Sequence, residues 1–175
     1  MTITTAWAVH ETPIGPLTLH RGPRGLTRLD FPNRGPARDE TARDPGALEA
    51  AAAQLDEYFA GRRTAFDLPL HLDGTPFQRR VWAALREIPY GTTVTYTELA
   101  RAVGRPDIVR AVGAAVGRTP VPIVVPCHRV VGADGSLTGY GGGLQRKRAL
   151  LDLERRVAAG LAPALERRFR QLALL

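Results

Sequence analysis

The chain has one cysteine, one methionine and one lysine among 175 residues. A single cysteine excludes an intramolecular disulfide and any cysteine-rich zinc site, and it suits a reducing compartment. No apolar run approaches the ~20 residues that a membrane helix needs. The opening residues Met1 to Trp7 lack the basic and apolar regions of a secretory signal. These absences lead us to expect a cytoplasmic protein with no membrane attachment. Lysine is scarce because the basic charge is carried by arginine: of 24 basic residues only Lys147 is lysine, and the net charge is +7. A positive field favours a polyanionic partner, nucleic acid above all. Arginine-rich codon usage would give the same composition, so the placement of the charges has to decide.

The length allows one domain or two small ones with a real apolar core. Three short segments, 4–11, 15–21 and 25–31, are separated by Pro13-Ile14-Gly15 and Gly22-Pro23-Arg24-Gly25, which read as strands joined by turns. Residues 32–45 are polar and irregular. Residues 46–60 have helical composition, with Leu48, Ala52, Leu55 and Phe59 on one face and Gly61 as the stop. Nothing in this half reads as catalytic, and the scattered His10, His20 and His71 read as surface or structural residues.

The second half changes character. Thr75 can cap a helix with Pro76 in its first turn, followed by a stripe of Phe77, Val81, Trp82 and Leu85 that reads as core. Thr95-Tyr96-Thr97-Glu98 matches a capping box and predicts a short helix through Leu99, Ala100 and Val103, closed by Gly104. A second helix is predicted from Pro106 to about Gly117. Two short helices joined by a glycine-containing turn outline a helix-turn-helix. In the second helix Ile108, Val109, Val112, Ala115 and Val116 share one face, opposite Arg110, Gly113, Ala114 and Gly117. Glycine inside a helix costs about 0.8–1.0 kcal/mol relative to alanine, so a smooth outward face needs a reason. Close approach to DNA is one and packing inside the protein is the other; an arginine at the centre of the face favours DNA.

The sole cysteine stands in Ile123-Val124-Val125-Pro126-Cys127-His128-Arg129-Val130-Val131. A lone cysteine is ordinarily a small buried hydrophobe. A thiol becomes a strong nucleophile as thiolate, which nearby positive charge or an imidazole favours. Cys127 reads as a nucleophile at the end of an apolar strand, in an electropositive and partly exposed setting.

Taken together these residues resemble the O6-alkylguanine-DNA alkyltransferases. The resemblance rests most on Pro126-Cys127-His128-Arg129-Val130, and extends through Pro89-Tyr90-Gly91 with Tyr96, Arg110-Ala111-Val112-Gly113, Leu137-Thr138-Gly139-Tyr140 with Gly142-Gly143, and Leu150-Leu151-Asp152-Leu153-Glu154. It implies an α/β (α+β) fold: a small β-rich domain over 1–72, a mostly helical DNA-binding and acceptor domain with the helix-turn-helix over 73–156, and an extension over 157–175. In that extension Leu161, Leu165, Phe169 and Leu172 can share a helical face that packs on the body or meets a partner.

By resemblance, Cys127 accepts the alkyl group of O6-alkylguanine (O4-alkylthymine being a further substrate), His128 is the base acting through a water, Glu154 orients the histidine, and Tyr96 donates to the leaving base. The transfer is irreversible and stoichiometric, and needs no cofactor and no metal. The implied partner is double-stranded DNA with alkylated bases, bound in the minor groove by a monomer, with cooperative assembly on DNA left open. Tyr96, Thr97, Arg105, Arg110, Ala111, Gly113 and Ala114 are the implied DNA contacts, with Arg110 filling the space of the extruded base. Pro122, Val130, Tyr140 and Gly141 form the implied base pocket, and the carbonyls of Cys127 and Val130 read the exocyclic amine. One departure stands out: where the family usually has an asparagine tying the helix pair to the cysteine segment, this chain has Thr119. Two other classes compete, a non-catalytic helix-turn-helix protein that binds lesions or regulates genes, and a Cys–His hydrolase. The first is disfavoured by the presence of Cys127, and the second leaves the small helix face with Arg110 unexplained.

Overall fold

Alternating apolar residues build the first sheet. Strands β1 (Ala6–His10), β2 (Leu17–Gly22) and β3 (Gly25–Asp30) form an antiparallel meander in that order. Leu17, Leu19 and Leu29 are buried against α1 (Glu49–Phe59), which contributes Ala51, Leu55, Tyr58 and Phe59. Ala52 is only half-buried, and Tyr58, absent from the predicted stripe, is fully enclosed. The computed structural model describes residues 3–32 and 34–165.

Helix α2 (Pro76–Arg86) begins at a complete capping box between Thr75 and Gln78, and buries Val81, Trp82 and Leu85. Helix α3 (Tyr96–Ala102) begins at a second box between Thr95 and Glu98, and the chain leaves it through Gly104 at φ +74°. Both boxes satisfy amides that a helix start leaves without partners. Helix α4 (Val109–Gly117) starts later than the sequence predicts. Pro106 does not open it: residues 105–108 form a turn in which the Ile108 amide donates to the Arg105 carbonyl at 3.2 Å, and the Arg105 guanidinium is held on Asp107 at 3.0–3.1 Å. The Trp82 indole donates to the Ala115 carbonyl at 2.9 Å, fixing α4 on α2.

The apolar run before Cys127 is not a strand. Pro120, Pro122 and Pro126 have no amide hydrogen to give to a ladder, and the segment instead folds as a buried loop. Ile123 sits at φ +75°, and the Val125 amide closes on the Val121 carbonyl at 2.9 Å. Positive φ at a β-branched residue is a real outlier, costing about 1–3 kcal/mol. Cys127 then opens a single 3₁₀ turn, Cys127–Arg129. Only Val130–Val131 (β5) is strand, paired in parallel with β4 (Val94–Thr95).

The loop joins two cores. Val121, Ile123 and Val124 belong to the core built on β1–β3 and α1, whereas Val125, Cys127 and Val130 belong to the core of α2, α3 and α4. Helix α5 (Leu144–Ala158) closes the first core with Leu150 and Leu153. Beyond it Leu165 packs on that core and Leu161 is exposed, with residues 161–165 in no regular element; Phe169 and Leu172 lie outside the described residues. No described helix is long and apolar enough to cross a membrane.

Candidate active site

A cavity of about 480 Å³ opens between the two halves, with Cys127 in its wall. Tyr96, Gly113 and Thr119 come to it from the helix pair, Pro122 from the buried loop, and Gly139, Tyr140 and Gly141 from the loop before α5. These are largely the residues singled out from the sequence. Val130 is buried in β5 and is not among the described lining residues. The opposite wall is a correction, because the N-terminal half supplies it: Arg28, Asp30, Phe31 and Arg34 line the same cavity. Phe31 meets Tyr140 edge-on at 5.5 Å between ring centres. A Cβ added at Gly142 would stand 2.8 Å from the Phe31 ring, so this glycine serves the join between the halves, whereas Gly141 lies open. Arg146 completes the join, donating to the Ile14 carbonyl at 2.7 Å and the Gly142 carbonyl at 3.1 Å.

Cys127 is not partly exposed; 6% of its surface is accessible. Burial pushes its thiol up to about 11, against the opposing pull of the Thr119 hydroxyl, the Lys147 charge and the amides at the start of the 3₁₀ turn. A buried thiol at rest is poorly ionised, so something beside it has to accept its proton.

His128 follows in the same turn and is fully buried. Its Nε2 lies 2.7 Å from Oε1 of Glu154. Glu154 is not the surface ion pair that its arginine-rich neighbourhood suggests. Fully buried on α5, it also accepts from the Tyr58 hydroxyl at 2.8 Å, from Nε and Nη2 of Arg129 at 2.9 Å each, and from the Gly91 amide at 3.3 Å. Burial alone would raise this carboxyl, but the hydrogen bonds and charges of His128 and Arg129 outweigh it and hold the group at about 2. An ionised carboxylate only accepts, so Nε2 of His128 carries a hydrogen and Nδ1 is the basic nitrogen of the neutral ring. Nδ1 is buried without a hydrogen-bond partner among the described residues, the Cys127 sulfur included. The ring thus presents a base that a water can connect to the thiol.

Tyr58 was missed in the sequence, and Arg129, read there only as positive charge beside Cys127, holds Glu154 instead. Arg129 is buried, forks onto Glu154, donates through Nη1 to the Ile88 carbonyl at 2.7 Å and stands 5.6 Å over the Tyr90 ring. The only signal for it was its place beside His128. Tyr58 lies 96 residues from Glu154, and no local pattern links them.

On the outer side of the helix pair, Arg110, Ala111, Ala114 and Gly117 are exposed and Gly113 is half-buried. Nothing stands within 4 Å of a Cβ placed at Gly117, and one at Gly113 would meet the Tyr96 ring at an ordinary 3.6 Å. Core packing therefore does not demand glycine at either place. Tyr96, the first residue of α3, points its hydroxyl at the Thr138 carbonyl, 3.4 Å away. Thr97 is half-buried beside it, and exposed Arg105 is engaged by Asp107. Thr119 donates its hydroxyl to the Val116 carbonyl at 2.8 Å while standing beside the Cys127 thiol in the cavity wall.

Fold and site together define a two-part protein in which a buried thiol with its own His–Glu pair lies under a helix-turn-helix. Comparison with known proteins gives the family. Residues 5–72 match the model of the 6-O-methylguanine DNA methyltransferase ribonuclease-like domain, and residues 76–156 match that of the 6-O-methylguanine DNA methyltransferase DNA binding domain. The methylated-DNA–protein-cysteine methyltransferase of Mycobacterium tuberculosis (strain H37Rv) is 54% identical over 147 residues, 83% of this chain and 89% of its own length. That of Methanosarcina barkeri is 49% identical over 148 residues, covering 82% and 93%. The crystal structure of Mycobacterium tuberculosis OGT in complex with DNA superposes with a TM-score of 0.83 at 51% identity, over 91% of this chain and 96% of that one. The chain belongs to the 6-O-methylguanine DNA methyltransferase family.

Proposed function

We propose that this chain repairs alkylated DNA by direct, irreversible transfer of one alkyl group from guanine O6, and from thymine O4, to Cys127. The observation that carries the reading is the placement of the sole cysteine in a cavity beneath the helix pair, next to a histidine whose distal nitrogen is held by an ionised carboxylate. The Cys127 proton passes through a water to Nδ1 of His128, and Glu154 stabilises the imidazolium that results. The thiolate then attacks the alkyl carbon in line, forming the S–C bond as the C–O6 bond breaks and the electron pair stays on the base. The Tyr96 hydroxyl, at the cavity edge, exchanges its long bond to the Thr138 carbonyl for one to a ring nitrogen of the leaving base. The thioether is stable, so each chain acts once, and no step calls for a cofactor.

The target carbon is out of reach inside a base stack, so the nucleotide is extruded. The smooth exposed face of α4 lies in the minor groove, Arg110 occupies the vacated space, and Thr97, Arg105, Ala111, Gly113 and Ala114 flank it. Tyr140, Gly141 and Pro122 enclose the base, with the carbonyls of Cys127 and Val130 towards its exocyclic amine. Residues 73–156 perform this work as one domain, residues 1–72 wall the cavity, and the protein acts on DNA in the cytoplasm as a monomer.

The test is a single incubation with duplex DNA containing O6-methylguanine, read by intact mass and peptide mapping. One methyl per chain on the peptide holding Cys127 is expected. Repeated turnover, or label on another residue, would overturn the reading.

A further inference from the structure

The end of β3 carries a charge arrangement that the proposed transfer does not use. Arg28 and Asp30, two residues apart on a strand, stand on one face of it. Asp30 is a buried carboxylate, 6% exposed, and accepts from Nε of Arg28 on both oxygens, at 2.7 and 2.8 Å. Nε2 of buried His20, on the neighbouring β2, stands 3.1 Å from the same carboxylate. Gly35, at φ +97°, packs so closely on it that a side chain there would collide. Burial alone would raise the Asp30 carboxyl, but His20 and the Arg28 guanidinium hold it below the usual carboxylate range.

An ion pair between exposed groups contributes little to stability, and a buried carboxylate is costly. Here the carboxylate is enclosed while 45% of the Arg28 side chain stays accessible. With Nε held, the planar guanidinium keeps one orientation and its outer edge remains for another partner. Its position says which. Arg28 lines the cavity of Cys127 and also the adjoining groove of about 440 Å³. Gly117, the last residue of α4 and on its exposed face, lines both as well. Exposed Arg34 lines the cavity and exposed Arg118 the groove, so three arginines border the two hollows. The acidic groups there are Asp30, already engaged, and Asp73. Such a border suits phosphate oxygens, which a guanidinium binds through parallel donors.

We propose that Arg28 is a DNA-phosphate contact supplied by the N-terminal half: its guanidinium, braced by Asp30 and His20, receives a backbone phosphate beside the extruded nucleotide when α4 docks. Residues 1–72 then wall the cavity and also hold the strand that enters it, with β3 and the end of α4 on either side of the backbone. A contact of this kind fixes position and carries no sequence information. It rests on the proposed docking of α4 on duplex DNA.

Binding is read by fluorescence anisotropy on a duplex with one O6-methylguanine, in the Cys127→Ala protein so that the lesion persists. In that background Arg28→Gln should reduce the fall of the logarithm of the binding constant with the logarithm of salt by about 0.9, the share of one phosphate. Arg28→Lys should keep most of the slope. Arg28→Gln combined with Asp30→Asn has the native net charge and leaves no buried carboxylate unpaired, so it also serves if the single variant folds poorly. Its slope should stay low. A return to the native slope would mean that only net charge mattered, and an unchanged slope in Arg28→Gln would equally overturn the contact. Methylphosphonates placed one at a time around the lesion then locate the partner. One of them should weaken binding when Arg28 is present and cost nothing further in Arg28→Gln; equal losses in both proteins at every position would refute the proposal. Failure of the Cys127→Ala protein itself to bind duplex would take down the docking of α4 and this contact with it. Methyl found on a residue other than Cys127 would instead remove the proposed acceptor, which the binding measurement does not read.

Discussion

At the scale of single residues, the acceptor site is a set of buried polar groups that make sense only as a unit. Glu154 holds Nε2 of His128, so under the proposed mechanism, in which that ring takes the thiol proton, deleting either member of the pair disables the other. His128→Ala and Glu154→Ala should each slow single-turnover transfer by about a hundredfold, the usual scale of general acid–base help. The double variant should be hardly slower than the worse single one; a loss equal to the product of the two would refute the shared role. Glu154 also ties stability to pH. Its folded value of about 2 lies below the ~4.3 of an exposed glutamate. The stability it contributes is therefore complete above the unfolded value and disappears as pH falls towards 2. Thermal unfolding between pH 5 and 2 should show a steeper decline for the native chain than for Glu154→Gln, and parallel declines would contradict the pairing. Thr119 offers a third check: with its hydroxyl turned onto the Val116 carbonyl, Thr119→Asn should leave transfer unchanged or faster. Inactivation of a folded Thr119→Asn protein would mean that this chain has built a different local network. Cys127, His128 and Glu154 were legible from motif chemistry and resemblance. Tyr58 and the pairing of Arg129 with Glu154 were not, because both depend on burial beside a group distant in sequence, which no local pattern records.

At the scale of elements, local grammar was read well where it closes within one turn. Both capping boxes follow from a four-residue pattern and are present as such. The start of α4 was misread because proline is favoured in the first helical turn, whereas here the Arg105–Asp107 pair stabilises a separate turn before the helix begins. The apolar run before Cys127 was read as strand because hydrophobicity cannot distinguish a buried strand from a buried loop. Its three prolines and the positive φ of Ile123 decide for the loop, and that loop is what sets Cys127 at the cavity wall. The exposed face of α4 supports a sharper prediction. Arg110 stands out from small residues with space around them, so its loss should harm base extrusion more than docking. Arg110→Ala should slow repair of duplex DNA by roughly a hundredfold, the scale of a few kcal/mol of unstacking, while reacting nearly normally with free O6-benzylguanine. Equal damage to both substrates would place Arg110 in support of the fold instead.

At the scale of the whole molecule, two cores share the loop before Cys127, and the cavity that Cys127 lines is walled by both halves. The sequence assigned all the chemistry to residues 73–156; the wall formed by Arg28, Asp30, Phe31 and Arg34 depends on how the halves dock, which no local pattern records. The net charge of +7 acts at this scale too. A protein that has to find lesions at arbitrary positions gains nothing from reading sequence. The exposed face of α4 offers small side chains and one arginine rather than the array of amides and carboxylates that discriminates base edges. Affinity for undamaged duplex should then come from phosphate contacts, with the logarithm of the binding constant falling linearly in the logarithm of salt by about 0.9 per phosphate neutralised. Different random duplexes should bind within a few-fold of one another at each salt concentration. The comparison is made by fluorescence anisotropy over a salt series on several unrelated sequences. A preference of several kcal/mol for one operator, persisting at high salt, would mark a regulator and contradict the repair reading, because base-specific contacts release few counterions and would have to come from a surface other than this helix face.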